Sequence, residues 1–250
     1  MIDPREAGIQ RQLVGVRRII AFCSAKGGVG KSFCAVGAGL ALARAGRTVG
    51  LLDLDLAAAS AHLFLGADMR LPEEDRGILP LLVVPGLALM SAAAFTRERP
   101  LALRGSEVSD AILELLCVTR WGTRDALLID MPPGIGEEIL DLARLLPRLE
   151  CLVVSTPSVV SLRVVERLLA ALERMRVPVI GMLANMTRGD GDGYGVRRMA
   201  ERRAVPFAGE IPHDPGVESA LGDPAALGGL PAVRAIGEAI TAMLGGPRPS

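Results

Sequence analysis

The sequence predicts one α/β domain, doubly wound, with a mainly parallel sheet flanked by helices, and three observations carry that reading. Short runs rich in Val, Ile and Leu alternate with helical patterns from end to end. Hydrophobic residues make up 50% of the chain and aromatics only 3%, which suits a core of aliphatic strands buried on both faces. A glycine-rich turn, SAKGGVGKS at 24–32, follows the first such run and opens a helical one. That strand–loop–helix order is what a phosphate-binding loop requires.

The elements follow in order. Residues 1–16 read as a loose lead-in and 245–250 as a disordered tail. Between them, 17–244 carry no internal repeat and no long linker, as expected of a single domain. Strands are predicted at 19–23, 48–53, 87–90, 126–130, 151–155 and 179–185, with a short one at 205–207. Residues 31–44 continue from the glycine turn as a helix. The uncharged run 77–95 is long enough to span a bilayer, but Pro80, Pro85 and Gly86 divide it. It reads as buried strands joined by a turn. Ser106 opens a capped helix running to Val118. Leu162, Val165, Leu168, Leu169 and Leu172 form one apolar helical stripe, opposite Arg163, Glu166, Arg167 and Glu173.

Bulk properties narrow the function. The 28 Lys and Arg balance 28 Asp and Glu, and the isoelectric point is about 6.8. Neither a nucleic-acid nor a membrane partner is expected from that balance. Cys23, Cys34, Cys117 and Cys151 are widely spaced in apolar contexts, without a CxxC pair or a signal peptide. They read as buried, reduced thiols of a cytoplasmic protein. His62 and His213 stand apart from each other and from any cysteine pair, and Tyr194 and Trp121 are single aromatics, so neither type suggests a metal or base-stacking site.

The chemistry concentrates at the glycine turn. Backbone N–H groups of Gly27, Gly28, Val29 and Gly30 can turn toward one anion, and the helix starting at Lys31, Ser32 and Phe33 adds its dipole. Lys31 offers a point charge to the β- and γ-phosphates, and Ser32 a hydroxyl to Mg²⁺. Ala25 occupies the first glycine position of the ordinary GxxxxGK[ST] pattern, so the form that fits is KGGxGK[ST], with a second lysine at Lys26. Two later strands end in carboxylates: VGLLDLDLA in Asp53 and Asp55, and ALLIDMPPG in Asp130. Asp130 holds the position that orders Mg²⁺ through water, and Pro132, Pro133 and Gly134 make a stiff loop beside it.

These motifs, together with LLDLDLAAASAHLFLG, VVSTPSVVSLRVVERLLAAL, VPVIGMLANM and VPFAGEIPHDPGV, resemble the deviant-Walker-A ATPases, the group of MinD, ParA and Mrp. The likeness is closest to the Mrp/ApbC type and runs from about 19 to 244. It implies the P-loop NTPase fold of the MinD-like (SIMIBI) kind and a homodimer formed face to face around ATP. Lys26 then matches the lysine that reaches the partner's phosphates, stabilising charge on the transferring group. By the same resemblance Asp55 orients or activates the attacking water, Asp53 supports Mg²⁺ indirectly, and Asn185 hydrogen-bonds adenine. The backbone around 211–214, with Pro212 and His213, closes over the base.

One feature departs from that family. Mrp-type carriers place a CxxC shortly after the asparagine, where thiolates of two subunits hold an iron–sulfur cluster; this chain has TRGDGDGYGVRRMAERRAVPF there. Cluster ligands are thiolates, and Asp190 or Asp192 substitute poorly, so direct carriage is disfavoured. Asp190, Asp192, Gly195 and Glu201 also fit an EF-hand count, but Tyr194 at the fifth position and a preceding strand argue for a flexible loop. The expectation is a Mg²⁺-dependent ATPase acting as an ATP-gated homodimeric switch on an unidentified protein partner in metal-centre maturation. A MinD- or ParA-like positioning or regulatory ATPase is the alternative.

Overall fold

Successive side chains of a strand point to opposite faces, and this chain supplies aliphatic ones to both. In the computed structural model, Ile19, Ala21 and Cys23 face one layer of helices while Ile20 and Phe22 face the other. The structure describes residues 4–69, 74, 77–96, 106–134, 136–189 and 191–245. The chain begins with α1 (Pro4–Leu13), β1 (Val16–Cys23), α2 (Lys31–Arg44) and β2 (Val49–Asp53). Next come α3 (Ala61–Leu65), β3 (Leu81–Val84), β4 (Leu87–Ser91) and α4 (Ala93–Thr96). The middle holds α5 (Ser106–Val118), β5 (Arg124–Asp130), α6 (Glu137–Leu145), β6 (Leu149–Ser155), α7 (Val159–Arg174) and β7 (Val179–Thr187). Last are α8 (Tyr194–Arg202), β8 (Phe207–Pro212), α9 (Gly216–Ser219), α10 (Pro224–Gly229) and α11 (Pro231–Gly245).

Among the described residues one sheet forms, in the order β3-β4-β2-β5-β1-β6-β7-β8. Every neighbouring pair is parallel except β3–β4, which is antiparallel. Helices α2, α3, α10 and α11 cover one face, and α1, α5, α6, α7 and α8 the other. Register matters most at the carboxyl ends of the central strands. Phe22 of β1 and Asp53 of β2 both pair with Asp130 of β5, so the glycine turn and both aspartates emerge at one edge of the sheet. In open α/β sheets that edge is where ligands bind. No described helix is long and apolar enough to cross a membrane.

Three expectations change. Where a loose lead-in is predicted over 1–16, Pro4–Leu13 form α1, and Val16 already belongs to β1. Ile9 and Leu13, one turn apart, are buried in the core shared with α5; two apolar residues are too short a stripe to show in the sequence. The strand predicted at 205–207 instead runs Phe207–Pro212, because Gly209 and a terminal proline mask its pattern. The run at 77–95 does form strands joined at Pro85 and Gly86, but β3 is a half-exposed edge and only β4 is buried. The helix predicted from Ser106 is present as α5, whereas most of the expected tail, 246–250, lies outside the described residues.

One contact in the sheet is sterically exacting. Gly50 of β2 lies under the fully buried Trp121, and a Cβ there would meet ring carbons at 2.5 and 2.6 Å and Leu127 at 3.0 Å. An indole cannot yield as a flexible side chain does. Gly50→Ala is therefore expected to lower stability by ~1–3 kcal/mol, read as a fall in the urea midpoint at unchanged slope. An unchanged midpoint would show that the ring moves aside freely.

Candidate nucleotide site

The glycine turn is an open cradle built by two left-handed residues. Gly28 and Gly30 have φ of 76° and 78°, conformations that side-chain-bearing residues rarely adopt. A Cβ on Gly27 or Gly28 would meet nothing within 4 Å, so their backbone faces free space. α2 begins at Lys31 with no side-chain cap on its first N–H groups, which leaves those donors for an anion. The loop is tied at both ends. The Gly134 N–H donates to the Ser24 carbonyl at 2.9 Å, and Asn185 Nδ2 donates to the Val29 carbonyl at 2.8 Å.

Charge is crowded beneath the cradle. Asp53 and Asp130 are both fully buried, and Lys31, itself buried, is ion-paired to Asp130 Oδ1. One ammonium faces two carboxylates. Burial pushes the Asp53 carboxyl up to about 7, with Asp130 adding to the effect and the Ala61 and Asp55 N–H groups opposing it. Burial likewise raises Asp130, against the pull of Lys31 and the neighbouring Ser32 hydroxyl. Cys34, three residues beyond Lys31, is also raised by burial and is an inert thiol.

The buried oxygens decide which group can take a cation. Asp130 Oδ2 has no hydrogen-bond partner. Asp53 is fully engaged: Oδ1 accepts from Asp55 N–H at 3.1 Å, and Oδ2 accepts from the Ser60 and Ala61 N–H groups at 3.0 and 3.1 Å. A hydrated divalent cation therefore fits beside Ser32 and Asp130, where negative charge is in excess, while Asp53 acts through the loop it shapes. Asp55 is half-buried, with Oδ1 accepting from Ala58 N–H at 3.0 Å. Lys26, at the rim, is half-buried and makes no hydrogen bond or ion pair among the described residues.

Beside the cradle lies a cavity of about 410 Å³ whose walls include Phe33, Phe64, Asn185, Met186, Pro212 and His213. The structure thus brings the predicted base-side residues together. The Phe33 and Phe64 rings pack at 6.0 Å between centroids, tilted by 49°. Met186 has φ of 61°, a rare backbone state for its type, where the β7–β8 register shifts. With Asn185 Nδ2 committed to Val29, Oδ1 is the amide atom left to accept from a base.

Sequence reasoning missed two residues here. Phe64 has no signal in sequence, because only tertiary packing brings α3 onto Phe33. Ser24, whose buried Oγ has no partner at the start of the loop, could have been found as the loop's first hydroxyl. A compositional signal also went unused. Lys26 and Lys31 are the only lysines in the chain, and the other 26 basic residues are arginine. Lysine stands only where a compact point charge differs most from a planar fork.

The cysteines do not build a cluster site. Cys23 and Cys151 lie on adjacent strands with sulfurs 3.5 Å apart, both buried. Contact with Cys23, and then burial, keeps the Cys151 thiol protonated. Among the described residues no group of three or more His, Cys, Asp and Glu side chains is placed to hold a metal. The residues present do not fit an iron–sulfur cluster.

A strand that enters a glycine cradle, a helix opening on Lys31 and Ser32, and a buried aspartate closing the adjacent strand define a P-loop NTPase with MinD-like topology. Within that class the chain belongs to the ParA family of NUBPL iron-transfer P-loop NTPases, whose model matches residues 15–227. An iron–sulfur cluster carrier protein of Pseudomonas fragi is 34% identical, over 90% of this chain and 86% of its own. One of Saccharolobus solfataricus is 32% identical, over 85% of this chain and 76% of its own. Against the protein of that name from Escherichia coli K12, 35% identical over 79% of this chain, the match spans 57% of the relative's length. Among solved structures, a nucleotide-binding protein of Archaeoglobus fulgidus in complex with ADP superposes with a TM-score of 0.77. It is 27% identical, over 92% of this chain and 95% of that one. The MinC:MinD cell division complex of Aquifex aeolicus gives 0.66 at 25% identity, over 93% and 98%.

Asn185→Ala would remove both the tie to Val29 and the acceptor facing the cavity. Affinity for ADP, measured by calorimetry, is expected to fall by about tenfold or more. Unaltered affinity would take Asn185 out of the base site.

Proposed function

We propose that this chain is a Mg²⁺-dependent ATPase that closes as a homodimer around ATP and resets a protein partner in metal-centre maturation on hydrolysis. The observation that carries the reading is Lys26. It is one of only two lysines, it sits on the rim of the cradle, and it has no partner among the described residues, whereas Lys31 already serves the interior. A cation held there without a counter-charge suits phosphate oxygens presented by a second subunit.

The geometry supports the following division of labour. The N–H groups of 27–33 hold the phosphates, and Lys31 exchanges its pairing with Asp130 for phosphate oxygens. When bound, Mg²⁺ would be held by Ser32 and Asp130 and would supply neutralisation of phosphate charge. Asp55 orients the attacking water once it leaves its Ala58 N–H. The protein has little proton chemistry to do; positioning and charge stabilisation do the work. Relatives called iron–sulfur cluster carriers support the metal-centre role, and the chain's own thiols suit an ATPase that acts on a cluster-holding partner and carries none itself.

Lys26→Ala is expected to bind ADP as the parent does, yet to lose roughly 100- to 1,000-fold in ATP turnover, followed as phosphate release. Parental turnover would make it an ordinary surface lysine. Asp55→Ala should bind ATP and accumulate as dimer in light scattering with hydrolysis lost. A monomer that hydrolyses ATP normally would remove both the switch and the role of Asp55.

A further inference from the structure

The chain is formally neutral, but its charge is unevenly placed. In the helical layer of α1, α5, α6, α7 and α8, the α5–α6 end carries Glu107, Glu114, Glu138 and Asp141. The outer surface of α7 and α8 is the opposite. Val165, Leu168, Leu169 and Leu172 turn α7 inward, and Val196, Met199 and Ala200 turn α8 inward. Helical spacing then puts Arg163, Arg167 and Arg174 on the outer side of α7, and Arg197, Arg198 and Arg202 on that of α8; all six are exposed. None forms an ion pair among the described residues.

The local acids are largely spent elsewhere. Glu166 and Glu173 of α7 face Arg203 at 3.5 and 3.9 Å, which leaves Glu201 as the single acid within the outer row of α8. Two of the cations are also pre-positioned. The Arg197 guanidinium lies 4.3 Å above the Phe207 ring centre, and that of Arg198 lies 5.7 Å from the Tyr194 ring. Stacking restrains each plane while leaving its N–H fork free, so less freedom is lost on binding.

We infer that the outer face of α7 and α8 docks an acidic segment of a partner protein, with carboxylates at helical spacing. Arg163 and Arg167, and Arg198 and Arg202, are each four residues apart, the interval that matches carboxylates on one side of a partner helix. A planar fork reads a carboxylate with two parallel hydrogen bonds. The chain as a whole has no basic excess to offer a duplex backbone, so the local, helically spaced pairs favour a protein over a nucleic acid. None of the six arginines lines the nucleotide cavity, so the inference stands apart from the ATPase reading.

The test uses the full chain and a fluorescein-labelled helical peptide of about 20 residues with glutamate at i, i+4 spacing. Its glutamine counterpart and a labelled DNA duplex of about 20 base pairs serve as the other arms. Anisotropy should show binding of the glutamate peptide, weakening with salt, and none of the glutamine peptide. Paired reversals R163E/R167E and R198E/R202E should each weaken it at least about tenfold. Arg234→Glu, on α11 of the opposite face, should not. Circular dichroism melts establish folding, and an Arg→Gln pair replaces any reversal that melts early. No binding of the glutamate peptide, or equal loss in Arg234→Glu, overturns the inference. So does a duplex that binds more tightly and is lost in the same variants, which would make the face a nucleic-acid surface.

Discussion

Two carboxylates end adjacent parallel strands, side by side, with a single lysine against them. At strand spacing, about 4.8 Å, like charges repel by ~3 kcal/mol at an effective dielectric of about 20. Asp53 and Asp130 are register partners and both are buried, so the sheet itself enforces their proximity. Lys31 pairs with only one of them. Burial raises both carboxyls, with the Asp130 charge adding to the effect on Asp53, and an incoming cation favours their ionised forms. The pocket under the glycine cradle is thus unbalanced by construction, and the chemistry of the site follows from that imbalance.

The same two strands distribute the consequences. Asp53 spends its oxygens on N–H groups of Asp55, Ser60 and Ala61, and so shapes the loop that carries Asp55 and starts α3. Phe64 on that helix then reaches Phe33 and the base-side cavity. On the other flank, Asn185 clasps Val29 from β7, and Gly134 clasps Ser24 from the loop after β5. The glycine cradle, the neighbouring cavity and the loop after β2 are therefore joined by direct contacts around one turn.

Much of this was legible beforehand. The order of strands and helices, the cradle at 27–33 and the aspartates at strand ends follow from patterns that lie within a few neighbouring residues. The misreadings have local causes. α1 presents only Ile9 and Leu13 as a stripe, and β8 hides its pattern behind Gly209 and Pro212. β3 reads as core by composition, yet it lies at the edge of the sheet. Phe64 left no trace, because α3 is too short to show a period.

By itself the sequence determined the class of fold, the phosphate cradle and the identity of the charged groups, because each is written in contiguous residues whose backbone preferences are local. Tertiary structure alone decided that Asp53 stands beside Asp130, that Asn185 reaches back to Val29, and that Lys26 is left without a partner among the described residues. It also placed the arginines of α7 and α8 on one surface. Such facts depend on strand order and register, which bring together residues about 80 to 160 positions apart. No local preference encodes that pairing; it is set by the one arrangement that buries both faces of the sheet.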